Sequence, residues 1–220
     1  MIPVLITARL GSTRLPKKHL LPLGSGMVIT HVIERCEHFG FQPFLCVPDD
    51  DLTAFADACP ATTVVSGDNH NVEARLIEGA DELGIKHFHQ LDGDDPFFDE
   101  FAVIDSFQAG VQFSRVYPSS NSATGSGRVG TTYNLSPRSM ETRKLSESGG
   151  GLHPWPQRLT LDYWEDYHLI TAVNRIVGGY MAPRQAVDEL FTRNPDLHLI
   201  NWFRTAEWKM RQQHERRSQG

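Results

Sequence analysis

The sequence has few cysteines, no long apolar run and no concentrated basic stripe, and each shortage closes off a class of protein. Its three cysteines, Cys36, Cys46 and Cys59, form no C-x-x-C pair. An odd, sparse set argues for free thiols in a reducing compartment rather than a disulfide framework. Cys36 falls on an apolar helix face and Cys46 in an apolar strand, so both read as core, where a thiol behaves as a small hydrophobe. No apolar stretch approaches the ~20 residues a membrane span needs, and no signal-peptide pattern precedes the first strand. A cytoplasmic protein without a membrane partner is expected. A net charge of −6 without clustered Lys and Arg argues against binding a nucleic-acid backbone, so any anionic ligand has to be handled locally. The P-loop spacing G-x-x-x-x-G-K-[ST] is also missing, which disfavours ordinary NTPase chemistry.

What remains is an ordinary folded composition, 40% hydrophobic and 22% charged over 220 residues, enough chain for one large α/β domain. Residues 2–7 read as a continuous apolar strand, and Val28, Ile29, Val32, Ile33, Cys36 and Phe39 share one helical face. Strands at 43–47, 62–65 and 86–91 alternate with helices at 51–58 and 71–83. The pattern predicts a mostly parallel sheet flanked by helices, with ligands at the carboxyl ends of the strands. Residues 118–130 and 146–157 read as loops around a hairpin near 128–135 and a short helix near 136–145. A last strand, Arg158–Leu161, leads to helices near 163–177, 183–193 and 202–215.

Three segments carry candidate chemistry. In Ala8-Arg9-Leu10-Gly11-Ser12-Thr13-Arg14-Leu15-Pro16-Lys17-Lys18, a loop leaving a strand tip offers Gly11 for close approach, backbone amides and four cations, which suits a polyphosphate. A solvated surface loop would have the same composition. Asp92-Gly93-Asp94-Asp95-Pro96 puts three carboxylates after a strand, where one or two suit Mg²⁺, although Asp, Gly and Pro also make ordinary turns. Asp162 followed by Glu165 reads as a helix N-cap with its capping-box partner, and metal ligation is the alternative. Gly125–Gly130 matches G-x-G-x-x-G but follows a polar stretch, so it is rejected as a dinucleotide site. His87 and His89 read as half-buried strand residues rather than zinc ligands.

Taken in order, these segments resemble the CMP-sugar synthetases (cytidylyltransferases), the CMP-Kdo and CMP-sialic acid synthetases among them, and most closely the spore-coat polysaccharide biosynthesis protein F-like branch. The likeness runs from Ile6-Thr7-Ala8-Arg9 to Lys18-His19-Leu20-Leu21-Pro22-Leu23, then through Asp68–Arg75, Gly93-Asp94-Asp95-Pro96, Arg158-Leu159-Thr160-Leu161-Asp162 followed by Glu165-Asp166, and Asn194-Pro195-Asp196 with Asn201. Lys17 departs from it, standing where the family usually has Gly, and residues 114–157 match poorly.

The resemblance implies a GT-A-like nucleotide-diphospho-sugar transferase fold with Rossmann-like character, a single nucleotidyltransferase domain over 1–220. A loop-rich sugar-pocket and dimer region at 114–157 and a C-terminal helical segment at 183–217 belong to it. It implies CTP, a small acidic or modified sugar, Mg²⁺ and a homodimer. Ala8, Arg9, Gly11, Ser12, Arg14, Lys18, Arg75 and Asp94 would bind the nucleotide, with Arg75 near the base. Arg14, Lys18, Asp94 and Asp162 would carry catalysis, and Asp94 with Asp162 would hold the metal. Two other readings stay open: a GT-A glycosyltransferase using Asp92-Gly93-Asp94 as its D-x-D, and a nucleotide-binding module without catalysis.

Overall fold

The computed structural model describes residues 1–108, 113–114, 132–134, 142–143, 158–208 and 210. Strand β1 (Ile2–Thr7) is followed, after the basic loop, by the short strands β2 (Pro22–Leu23) and β3 (Gly26–Met27) and by helix α1 (Val28–His38). Then come β4 (Phe41–Pro48), α2 (Leu52–Ala58), β5 (Val64–Gly67), α3 (Val72–Glu82), β6 (His87–Asp92) and α4 (Glu100–Gln108). Two-residue strands β7 (Phe113–Ser114) and β9 (Thr142–Arg143) flank β8 (Thr132–Asn134), and helices α5 (Trp164–Val177) and α6 (Arg184–Arg193) complete the set. No helix among the described residues is long and apolar enough to cross a membrane.

The main sheet has the order β5-β4-β1-β6-β8, parallel except for β8, which runs antiparallel to β6. β1 lies at its centre because it is apolar on both faces. Val4 and Ile6 enter one core with Ile29 and Val32 of α1, and Leu5 enters another with Leu76 and Ala80 of α3. The chain steps outward from β1 to β4 and β5, then returns to place β6 on the other side of β1. That reversal makes a topological switch point at the carboxyl ends of β1 and β6, the place where open α/β sheets form a ligand crevice. The loops that follow those two strands are the basic loop and the acidic one.

The two strand ends are drawn together at Gly93. Its N–H donates to the Thr7 carbonyl at 2.8 Å, and a Cβ there would lie 2.8 Å from that same oxygen. Beyond the crevice, buried side chains hold successive carbonyls of the acidic loop's far end. His31 Nε2 donates to Pro96 at 3.1 Å, Arg184 Nη1 to Phe97 at 3.0 Å, and Arg35 Nη2 to Phe98 at 3.1 Å. The Arg35 guanidinium is wholly buried against Glu100 (2.7 Å).

A third core joins Leu15 of the basic loop to Leu159, Leu161, Leu169 and Val173. It accounts for one departure from expectation. The strand expected over Arg158–Leu161 does not form: only Arg158 makes a bridge. Leu159 and Leu161 bury themselves in this core instead, and the Leu161 N–H donates to the Asp94 carbonyl at 2.8 Å. His89 also departs, being fully buried rather than half-buried. At 142–143, part of the expected helix near 136–145, long-range pairing with β7 gives a strand. The rest of that helix, the first arm of the hairpin near 128–135, the Gly125–Gly130 motif and the end of the last helix lie outside the described residues. Within that last helix, 204–208 are helical. All three thiols are buried and free, as core residues, and burial pushes Cys46 up to about 12.

Buried imidazoles make the fold sensitive to mild acid: His19 after the basic loop, which burial lowers to about 4, and two more in the interior. Burial, then the charge of Arg35, lowers His31 to about 4, and burial lowers His89 to about 3. All three values lie below the ordinary ~6.5 of an unfolded histidine, so as pH falls the unfolded chain binds protons first. Stability is therefore expected to decline from about pH 6.5 toward pH 4, by at most about 1.4 kcal/mol per pH unit for each imidazole. Thermal unfolding across that range measures it; a level melting temperature would show that these histidines are not held neutral.

Candidate active site

Leu15 sets the position of the basic loop. It is fully buried beside Leu159 and Leu161, which carries its neighbour Arg14 to the residue following Leu161. Arg14 Nη2 donates to Asp162 Oδ1 at 2.6 Å. The loop is also tied from within: Ser12 and Lys17 both donate N–H to the Leu10 carbonyl (2.8 and 3.3 Å), and Leu10 N–H donates to Asp51 Oδ2 at 2.8 Å. Lys17 adopts a left-handed backbone, φ 54°, a region glycine enters without penalty. The turn it makes starts the short 3-10 segment Lys18–Leu20 and sends Lys18 inward.

Lys18 Nζ donates to Asp94 Oδ2 and also to Asp162 Oδ1, at 3.0 Å. Four expected site residues, Arg14, Lys18, Asp94 and Asp162, thus meet at one point although three separate segments supply them. Behind them Arg158, which has no exposed surface, donates to Asp162 Oδ2 at 3.3 Å and grips Asp166 through Nε and Nη2 at 2.8 and 3.0 Å. Asn201 Nδ2 bridges the Arg158 carbonyl (2.8 Å) and Asp166 Oδ1 (2.9 Å). The Tyr163 ring packs under three guanidinium groups, those of Arg14, Arg158 and Arg204, at 5.5, 5.4 and 4.7 Å.

The helix cap is not the one expected. α5 starts at Trp164, and the carboxylate that receives the N–H groups of Asp162 and Tyr163, at 3.0 and 2.9 Å, belongs to Asp166. Glu165 turns outward to Arg204 (3.0 Å). Asp162 is thereby released from capping and faces the cations. Its burial alone would raise its pKa; Lys18, then Arg14 and Arg158, overcome that and hold it at about 2. For Lys18, burial opposes the charged form, but Asp94 and Asp162 outweigh it and the pKa is raised.

The remaining expected residues lie around this centre. Gly11 faces open space, with no atom within 4 Å of where a Cβ would sit. Ser12 Oγ accepts from Leu15 N–H at 3.4 Å, which leaves its proton to donate. The Ala8 amide is taken by the Cys46 carbonyl (3.4 Å), so a nucleotide contact from Ala8 does not come from its amide. Arg9 is exposed. Arg75 is not part of the cluster; it lies buried at the start of α3, reaching back to the Asp68 carbonyl at 2.9 Å. Burial lowers its pKa, and the charge of Arg9 adds to that. Asp92, Asp94 and Asp95 offer oxygens within 4.8 Å of one another, an arrangement open to a metal ion. Asp92 Oδ1 already accepts from Thr7 and Gln90, both at 3.2 Å.

Sequence reasoning gave no role in the site to Arg158, Tyr163, Asp166 or Asn201, reading them only within motifs. Arg158, Asp162 and Asp166 at four-residue spacing, interleaved with apolar Leu159 and Leu161, were the available signal, since charges drawn in with apolar neighbours are rarely left unpaired.

A family model described as cytidylyltransferase matches residues 3–117. The 3-deoxy-manno-octulosonate cytidylyltransferase of Methylococcus capsulatus is 38% identical over 101 residues, a match covering 44% of this chain and 39% of that relative's length. Among solved structures, a cytidylyltransferase from Leptospira borgpetersenii shares the fold with a TM-score of 0.74 at 21% identity, covering 89% of this chain and 95% of that one. A CMP:2-keto-3-deoxy-manno-octonic acid synthetase complexed with CTP shares it with a TM-score of 0.54 at 15% identity, covering 80% and 99%.

Two predictions follow from the local geometry. Replacing Asp166 with Ala leaves Arg158 buried without its main counter-ion and is expected to cost about 3–5 kcal/mol in denaturant unfolding, whereas Glu165→Gln at the solvated pair should cost under about 1 kcal/mol. Equal costs would refute the assignment of the cap to Asp166. Lys17→Gly, relieving the left-handed backbone, is expected to raise stability by up to about 1 kcal/mol in the same assay.

Proposed function

Because the chain belongs to the cytidylyltransferase family, we propose that it activates an acidic or modified sugar as a CMP-sugar, with release of pyrophosphate from CTP, for surface glycan biosynthesis. The convergence of Arg14, Lys18, Asp94 and Asp162 outside the carboxyl ends of β1 and β6 carries this reading. In the proposal the protein works in the cytoplasm as a homodimer, one domain over 1–220, with 114–157 shaping the sugar pocket and the dimer contact. Its place near the spore-coat polysaccharide biosynthesis protein F-like branch is supported by Asn194-Pro195-Asp196 and Asn201, the last of which braces Arg158 and Asp166.

The sugar hydroxyl attacks the α-phosphorus in line and pyrophosphate leaves. Phosphoryl transfer of this kind asks the protein mainly for positioning and charge neutralisation. Arg14 and Lys18 take the leaving pyrophosphate, Arg9 adds charge at the mouth, and Ser12 Oγ and the Gly11 amide donate to phosphate oxygens. Arg75 contacts the base. The paired carboxylates of Asp94 and Asp162 are hard oxygen donors that suit Mg²⁺. A divalent ion held by Asp94 and Asp162 would supply neutralisation of phosphate charge and polarisation of the attacking hydroxyl. Arg158 and Asp166 fix the orientation of Asp162 throughout.

A glycosyltransferase that consumes a nucleotide-sugar is the second reading, favoured by the mutual closeness of Asp92, Asp94 and Asp95. A pyrophosphate-release assay crossing the four nucleoside triphosphates with 3-deoxy-2-keto acids and amino sugars separates the two. Release with CTP and one acid sugar is expected. Transfer from a nucleotide-sugar without pyrophosphate would move the assignment to the second reading. Asp94→Asn is expected to lower kcat by about a hundredfold while circular dichroism shows the protein still folded at the assay temperature. Full turnover in that variant at limiting Mg²⁺ would remove Asp94 from the metal site.

A further inference from the structure

We infer that Lys18 is a resident counter-ion: its ammonium group occupies the gap between Asp94 and Asp162 in the free protein and gives that place to a divalent cation only when a triphosphate arrives to receive it. The inference rests on the cytidylyltransferase reading of this site and adds an order of events to it.

One Nζ atom bonds both prospective metal ligands, Asp94 Oδ2 and Asp162 Oδ1. The side chains of Lys18 and Asp162 are only 8% and 3% exposed, so the contact is shielded from bulk water. Around it Arg14, Lys18 and Arg158 face Asp94, Asp162 and Asp166, and Asp92 and Asp95 offer further oxygens within 4.8 Å of that of Asp94. A divalent ion entering the gap would meet the Lys18 ammonium on the very oxygens it needs, and two cations sharing one shielded gap repel strongly. One of the three cations has to withdraw.

Their tethers single out Lys18. Arg158 is wholly buried and doubly bonded to Asp166, so it stays. Of the two carboxylates Arg14 bonds only Asp162, and its departure would leave Lys18 still between the two ligands. Lys18 bridges both, and its flexible four-carbon stem lets the ammonium swing without moving the 3-10 turn that bears it. Triphosphate oxygens replace the carboxylates as its acceptors, and Asp94 and Asp162 become available to the metal. Metal and nucleotide binding are then coupled, and by linkage each strengthens the other.

The test is calorimetric titration of Mn²⁺ into the nucleotide-free full chain, comparing wild type, Lys18→Met and Lys17→Met. Lys17 carries the same charge one residue away and has an exposed side chain, so it controls for general electrostatics. Lys18→Met is expected to bind Mn²⁺ at least about tenfold more tightly than wild type, and Lys17→Met within about twofold of it. Mn²⁺ should raise the melting temperature of Lys18→Met at concentrations that leave wild type unmoved, and adding Asp94→Asn should abolish that gain. Unchanged or weaker Mn²⁺ binding by Lys18→Met, or an equal gain in Lys17→Met, overturns the inference. Should Lys18→Met not fold, Lys18→Gln, whose neutral amide donates to the same carboxylates, is read in the same way. The titration needs neither CTP nor a sugar. Failure of the proposed activity would instead appear as wild type releasing no pyrophosphate.

Discussion

A carboxylate buried among three cations is the constraint on which the rest of the site depends. Taking Asp162 out of water costs more than a single partner would return, and its depressed pKa depends on Lys18, Arg14 and Arg158 acting together. Each of those cations has its own anchor. Leu15 pins the segment bearing Arg14, the left-handed turn at Lys17 directs Lys18, and Asp166 with Asn201 immobilises Arg158. Buried ionic clusters are weak sources of stability compared with apolar packing of the same volume. One this well braced therefore makes most sense as equipment for a charged ligand.

The cores divide the labour. Two of them sandwich the sheet and hold β1 beside β6, which fixes the roots of the basic and acidic loops. The third, built from Leu15, Leu159, Leu161 and the helices α5 and α6, brings in Asp162 from the far end of the chain. The Leu161–Asp94 backbone hydrogen bond joins these systems next to the two carboxylates. Below it, His31, Arg35 and Arg184 hold the carbonyls of residues 96–98, so the acidic loop sits on a rigid floor. Preorganisation of that kind is what charge stabilisation in catalysis requires.

Much of the fold was legible in the sequence because its elements carry strong local periodicity. The apolar β1, the stripe on α1 and the strand–helix alternation through β6 came out with ends within a few residues of those observed. The basic and acidic loops were recognisable as site candidates because they follow strands. Reading failed where a residue's partner was distant. The apolar pair Leu159 and Leu161 suggested a strand, but those side chains satisfy their burial in the third core without a ladder. Asp162 and Glu165 matched a capping box by spacing, yet Asp166 does the capping because Arg158 and Asn201 hold its carboxylate over the helix start.

The sequence by itself determined the parallel α/β architecture, the two strand-end loops that bear clustered cations and carboxylates, and the likeness to a nucleotidyltransferase family. Those properties reside in hydrophobic period, turn chemistry and short motifs, all of which are local. Only the tertiary structure decided that Lys18 stands between Asp94 and Asp162, that Arg75 lies apart from them, and that Tyr163, Asp166 and Asn201 belong to the site. Each of these depends on segments up to 148 residues apart being packed against one another, and the energy of a buried charge is set by what surrounds it in space, not by its neighbours along the chain.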